Sequence, residues 1–311
     1  MVLRRVGHAG PVPSRALTTV PSHSPAPVVL ATCRSKPSLT PGDALLADAL
    51  VRAGAAVTAT SWDALSPAGE DARVVCLRST WDYHLRWNEF RTWISTFAGR
   101  NGRLWNPAET VLWNADKIYL RELEEEGIAL PRTRWFDPGV RPDGDRVLRE
   151  WGLGRAVLKP RVSATAFGTH LVSAGQDLRG EDWAELEASG CLLQDFVAEI
   201  ESRGEISLVY LDGGFSHAVR KRPASGDFRV QTDFGGRLER ETAARDVRAF
   251  GDAVLAAAAR SWLYARVDLV ETDRGPVLME LELIEPDLFL DAAAAERLAA
   301  ALLARAGRVA A

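Results

Sequence analysis

The chain has 311 residues, with 38 Lys and Arg against 42 Asp and Glu and a net charge of −4. That balance argues against a general nucleic-acid binder, and no apolar run reaches the ~18–20 residues of a membrane-spanning helix. With 47% hydrophobic and 26% charged residues, the composition is that of a globular protein built from two or three units.

Residues 1–27 hold no Asp or Glu and five prolines, and read as a disordered extension. The globular part opens with the apolar strand Val28–Cys33. Pro41–Ala53 reads as a helix, with Thr40 as N-cap, Pro41 in the first turn and Gly54 past its end. Strands follow at Ala55–Ala59 and Val74–Leu77, then a helix at Asn88–Phe97. Short apolar strands alternating with helices predict an open α/β domain, whose ligands bind beyond the carboxyl ends of its strands. Arg34, Arg78, Thr80, Asp82 and Tyr83 lie there and are the candidate substrate residues. Arg78 is the candidate for a substrate carboxylate, which its planar fork suits.

Asp116–Gly127 reads as a helix with Lys117 in its first turn, where the helix dipole disfavours a cation. Ala156–Lys159 and His170–Ser173 read as strands flanking the small-residue loop Ser163–Thr169. A lysine at such a strand end can grip a phosphate while loop N–H groups cover it. Leu192–Val197, Glu205–Leu211 and Phe215–Arg220 read as strands, the last two joined by the turn Asp212-Gly213-Gly214. Asp246–Trp262 is a helix, Arg266–Glu271 and Pro276–Leu283 form a hairpin, and Ala292–Ala306 is an amphipathic helix. Cys33, Cys76 and Cys191 are too far apart for a zinc site and fit a reduced, cytoplasmic setting.

The chemistry concentrates near the C-terminus. Residues i and i+2 of a strand share a face, so Glu280 and Glu282 point together and the hairpin can bring Asp268 beside them. Three converging carboxylates need a counter-cation, and hard oxygen ligands suit Mg²⁺. Alternation alone equally allows a solvated acidic face. The cations at 220–222 and 229 can stabilise a transferring phosphoryl group or simply form a solvated hairpin tip. Only four of the 38 basic residues are lysine, namely Lys36, Lys117, Lys159 and Lys221. Base composition can explain the scarcity but not the positions.

Taken in order, these segments resemble the ATP-grasp superfamily, in the branch of glutathione synthetase and the ribosomal-protein-S6 glutamate ligases. The resemblance rests on Asp116-Lys117 with Gly127-Ile128-Ala129-Leu130-Pro131-Arg132-Thr133, Val157-Leu158-Lys159-Pro160, Gln194-Asp195-Phe196-Val197, Gly226-Asp227-Phe228-Arg229, and the hairpin Arg266-Val267-Asp268 with Glu280-Leu281-Glu282. Glu282 departs from the usual Asn of E-x-N. Arg78–Tyr83, Trp113–Lys117 and Met279–Pro286 further resemble the branch that includes the O-ureido-serine cyclo-ligase of cycloserine biosynthesis.

The resemblance implies an ATP-grasp fold with a substrate domain at 28–113, a central lobe at 114–190 and a C-terminal lobe at 191–311. It implies ATP held by Lys117, Lys159, Gln194, Asp195, Phe196, Val197, Glu205 (or Glu201) and Lys221. Asp268, Glu280 and Glu282 would hold Mg²⁺, two ions in the usual case, with Mn²⁺ as a substitute. Arg229 and Arg266 would neutralise charge on the transferring phosphoryl group. A small amino-acid-like substrate would be activated by phosphorylation and attacked by an amine, and a homodimer would be usual. A small-molecule kinase, a non-catalytic nucleotide-binding module and a metal-dependent hydrolase remain alternatives.

Overall fold

The computed structural model describes residues 27–66, 74–99, 103–141, 143–175, 182–224, 230 and 235–309. Most of the proposed extension, and Arg229 with the rest of its Gly226–Arg229 motif, lie outside them. Three sheets carry the fold.

The first is parallel. It comprises β1 (Val28–Thr32), β2 (Val57–Ser61), β3 (Val74–Leu77) and β4 (Leu104–Trp105), in the order β2-β1-β3-β4. Every residue of β1 and β3 is buried, which requires cover on both faces. Helix α1 (Pro41–Arg52) covers one face, its start capped by Thr40, whose hydroxyl accepts from the Asp43 N–H. Helices α2 (Trp87–Ser95) and α3 (Ala108–Asn114) cover the other. Strand alternation sorts the contacts: Val28 and Leu30 face Leu46 and Leu50, while Val29 and Ala31 face Phe90, Ile94 and Val111.

Helix α4 (Tyr119–Glu125) is shorter at its start than the sequence suggests. Asp116 accepts from the Ile118 N–H in a turn, so Lys117 precedes the helix and escapes its dipole. The middle sheet contains β5 (Thr133–Phe136), β6 (Arg155–Pro160), β7 (His170–Ser173) and β8 (Cys191–Asp195) in the order β5-β8-β6-β7, all antiparallel. Helices α5 (Gly144–Trp151) and α6 (Asp182–Ser189) belong to the same stretch. Strand β8 lies beyond the expected boundary at residue 190, yet it is an inner strand of this sheet, because β5 and β6 supply its partners on both edges.

After α7 (Glu199–Arg203), the third sheet runs β11-β10-β9-β12-β13. Its strands are β9 (Glu205–Leu211), β10 (Gly214–Arg222), β11 (Arg237–Glu241), β12 (Tyr264–Thr272) and β13 (Gly275–Glu282). Helix α8 (Arg245–Ala258) packs under it through Val247 and Val254. Alternation again decides what faces where. Ile206, Leu208, Ala265, Val267 and Leu269 enter the helical layer, which leaves Ser207, Arg266 and Asp268 on the opposite face.

Strand β13 is a sheet edge, and bare edges are a pairing hazard. Here Asn114 closes it, donating to the Leu281 carbonyl and accepting from the Leu283 N–H, while the Tyr119 hydroxyl accepts from the Leu281 N–H. Finally α9 (Ala292–Val309) returns to the first sheet, placing Leu298 and Leu302 against the α1 face. No helix among the described residues is long and apolar enough to cross a membrane.

Candidate active site

A cavity of about 890 Å³ is lined by strands of the middle and third sheets and by loops that follow the strands of the first. Its walls include Lys117, Lys159, Gln194–Val197, Glu205, Lys221, Arg266, Asp268, Glu280 and Glu282. Residues spread over 165 sequence positions thus meet in one place.

Glu205, Asp268, Glu280 and Glu282 are each paired with a cation. Register pairs Asp268 with Glu280 and Arg266 with Glu282 across the hairpin. Arg266 bonds both Asp268 and Glu282, and its Nη1 donates to the Asp287 carbonyl. Lys221 lies between Glu205 (2.7 Å) and Asp268 (3.1 Å). Lys117 Nζ reaches Glu280 at 3.1 Å and donates to the Ser163 carbonyl at 3.0 Å. Lys159 Nζ donates to Gln194 Oε1 at 3.0 Å, and Gln194 Nε2 donates to the Thr133 hydroxyl.

Burial alone would raise Asp268, but Arg266 and Lys221 outweigh it and hold the carboxyl at about 2. Glu282 goes the other way. Burial, with Glu280 and Asp268 nearby, outweighs Arg266 and raises it to about 7. Lysine 159 is lowered by burial, with Lys117 adding to the effect. Five cations and seven carboxylates line the cavity, so the wall has a formal surplus of negative charge. A divalent cation would offset that surplus. The donor atoms of Asp268, Glu280 and Glu282 lie within 4.8 Å of one another, and such hard oxygens fit Mg²⁺.

The small-residue loop folds over the cavity through Ser163, Ala164, Thr165, Ala166 and Thr169. Its glycine is required: Gly168 has φ +63°, and a Cβ there would lie 2.7 Å from the Pro160 ring. Phe167 leaves the loop to rest against His84, with ring centroids 4.9 Å apart.

Several expected site residues are elsewhere. Arg78 is 1% exposed and does not line the cavity. Its Nε donates to Asp43 at 2.6 Å and its Nη2 to the Pro286 carbonyl at 2.9 Å, so its fork is already occupied inside the protein. Arg34 lies outside the cavity lining and pairs with Asp63. Asp82 accepts from the Trp62 indole, and Thr80 is wholly buried. Only Tyr83 of that group reaches the cavity wall. Glu201 is on α7 in a two-pronged pair with Arg155, away from the lining; Glu205 is the acid that lines it. In place of the missing residues the wall presents Lys36, Trp81, Glu285 and Asp287. Lys36 follows the carboxyl end of β1, where its sequence position already allows a place at the substrate mouth; nothing in the spacing of Glu285 and Asp287 marks them, because loops at 35–41 and 284–289 meet only in the folded chain.

Two family models match the sequence: D-cycloserine synthetase DcsG, N-terminal domain, over residues 28–106, and the RimK-like ATP-grasp domain over 156–288. The cycloserine biosynthesis protein DcsG of Streptomyces lavendulae is 30% identical over 235 residues, covering 70% of this chain and 77% of that protein. This chain belongs to the ATP-grasp ligases. The fold agrees, since a crystal structure of D-cycloserine synthetase DcsG superposes with a TM-score of 0.74 at 26% identity, over 90% of this chain and 99% of that one. D-alanine–D-alanine ligase from Bacillus anthracis shares the fold at a TM-score of 0.65 and 15% identity, over 92% and 98%. A probable alpha-L-glutamate ligase of Xanthomonas oryzae is 30% identical over 57% of this chain, which spans only 59% of that relative. Members of this family couple ATP, with a divalent metal, to carbon–nitrogen bond formation. This ATP-grasp ligase is an enzyme of that type.

Proposed function

We propose that the protein activates a small-molecule carboxylate by phosphorylation and closes a ring by intramolecular attack of a nitrogen on the same molecule. The observation that carries the cyclisation is the match of residues 28–106 to the DcsG N-terminal domain, the region whose loops face the cavity away from the nucleotide residues. A tethered nucleophile supports it physically, because intramolecular attack gains effective molarity.

In this reading the adenine rests against Gln194–Val197 and the ribose meets Glu205. Lys117, bonded to the small-residue loop at Ser163, and Lys159 take the phosphates. Asp268, Glu280 and Glu282 would hold magnesium, one or two ions, and the metal supplies charge neutralisation between phosphates. Arg266, fixed by three acceptors, stands ready for charge developing on the transferred group, with Arg229 a second candidate. Lys221 pairs with both Glu205 and Asp268, so neither is left without a counter-charge.

The test is a product assay with O-ureido-D-serine, ATP and Mg²⁺. The expected products are ADP, free phosphate and a cyclic isoxazolidinone. A stable phosphorylated compound would identify a kinase instead, and turnover without ATP a hydrolase. Lys159→Ala and Glu280→Ala should each abolish ADP release while remaining folded; turnover in either would remove that residue from the site.

A further inference from the structure

Among the described residues, four carboxylates are buried: Asp43, Glu205, Asp268 and Glu285. The first three are ion-paired, to Arg78, Lys221, and Arg266 with Lys221, respectively. Glu285 is 7% exposed, lines the cavity, and has no ion-pair partner among the described residues. A buried carboxylate without a cation is costly to ionise, so a cation arriving from outside the chain would be favoured beside it.

The backbone around it is firmly held. The Trp81 indole N–H donates to the Glu285 carbonyl at 3.1 Å, and Arg78 holds the next carbonyl, that of Pro286. The backbone that carries the carboxyl is therefore fixed before any ligand arrives. Trp81, whose ring already carries the Lys36 ammonium 4.7 Å from its centroid, and Tyr83 stand on the same cavity wall, and aromatic faces attract ammonium groups. The metal-type cluster of close donor atoms comprises Asp268, Glu280 and Glu282 and does not include Glu285.

We propose that Glu285 anchors the ammonium group of the substrate, at the end of the cavity walled by Trp81 and Tyr83. This assigns a specificity residue to the ligase reading above and rests on it. Burial, with Glu282 and Glu280 nearby, raises the empty carboxyl to about 8, and an arriving ammonium supplies the missing counter-charge. An amine kept in this grip is held back from the reacting carboxylate, which leaves a different nitrogen of the substrate to attack.

The test is calorimetric binding of D-serine, D-cycloserine and N-acetyl-D-serine to the full chain, with and without Mg²⁺ and the non-hydrolysable analogue AMPPNP. Both free amines should bind, and the acetylated compound at least about tenfold more weakly, as expected for loss of a charge-assisted contact. Glu285→Gln should weaken D-serine by a similar factor and leave N-acetyl-D-serine unchanged; Glu285→Asp should recover part of the loss. Because Glu285→Gln replaces a buried carboxyl that has no ion-pair partner with an uncharged group of the same shape, its urea midpoint should equal or exceed the parent's. Equal binding of blocked and free amines, or no binding of either free amine, overturns the proposal. So does a Glu285→Gln effect confined to Mg²⁺ affinity, which would make the residue a metal ligand. Failure of AMPPNP to bind would overturn the nucleotide reading instead, while the nucleotide-free arm still decides the role of Glu285.

Discussion

Replacing Arg78 with methionine separates a substrate-binding arginine from a structural one. Met matches most of the length of the side chain but strands two buried acceptors, the Asp43 carboxylate and the Pro286 carbonyl. It also removes the guanidinium lying 5.2 Å from the Tyr264 ring. Breaking a buried pair from one side costs about 3–5 kcal/mol. At ~2–4 °C per kcal/mol for a chain of this size class, the melting temperature should fall by on the order of 10 °C. The companion variant Asp43→Leu/Arg78→Met removes both charges, and should recover more than half of the loss because no buried carboxylate is left bare. Urea unfolding of the parent, both single variants and the double variant gives the coupling directly. A stable Arg78→Met protein with parental unfolding and a raised KM would refute this reasoning and return Arg78 to the substrate.

Other outcomes follow from the same contacts. His84 is 8% exposed, and burial, with Lys117 nearby, lowers its imidazole to about 4. The unfolded chain therefore takes up this proton first, so stability contributed by neutral His84 is present above about pH 6.5 and lost as pH falls toward 4, by up to about 3 kcal/mol. His84→Phe should flatten that limb in urea midpoints measured from pH 7 to 4; an unchanged slope would exclude His84 as its source. Asn114→Ala opens the β13 edge at Leu281 and Leu283. It should cost about 1–3 kcal/mol and weaken Mg²⁺-dependent AMPPNP binding, because Glu280 and Glu282 flank the loosened residue. Gly204→Ala places a Cβ onto the Lys221 carbonyl at φ +76°. Its cost should reach at least about 1–3 kcal/mol, read as a lowered urea midpoint, and parental stability would contradict the described approach of β10.

Much of the candidate site was legible before folding. Alternation in β12 and β13 put Glu280 with Glu282 and Arg266 with Asp268, and the hairpin turn brought the two pairs together. Lys159 at the end of β6, beside its small-residue loop, was readable from local pattern alone. The short helices α3, α5 and α7 and the two-residue strand β4 were not, since each is held by distant partners rather than by strong periodicity. Asn106 illustrates this: its buried amide bonds the backbone at Leu263, Tyr264 and Leu283, more than 150 positions away.

The sequence by itself determined the order of elements and which residues share a strand face, because period-2 and helical patterns are local properties of the chain. Only the tertiary structure decided which charges are available to a ligand. Arg78 and Glu285 are both charged residues in loops that follow a strand, and nothing local distinguishes them. Asp43 arrives from α1 to neutralise Arg78, and among the described residues no cation pairs with Glu285. Pairing across long sequence separation, not residue type, makes the first a brace and leaves the second facing the cavity.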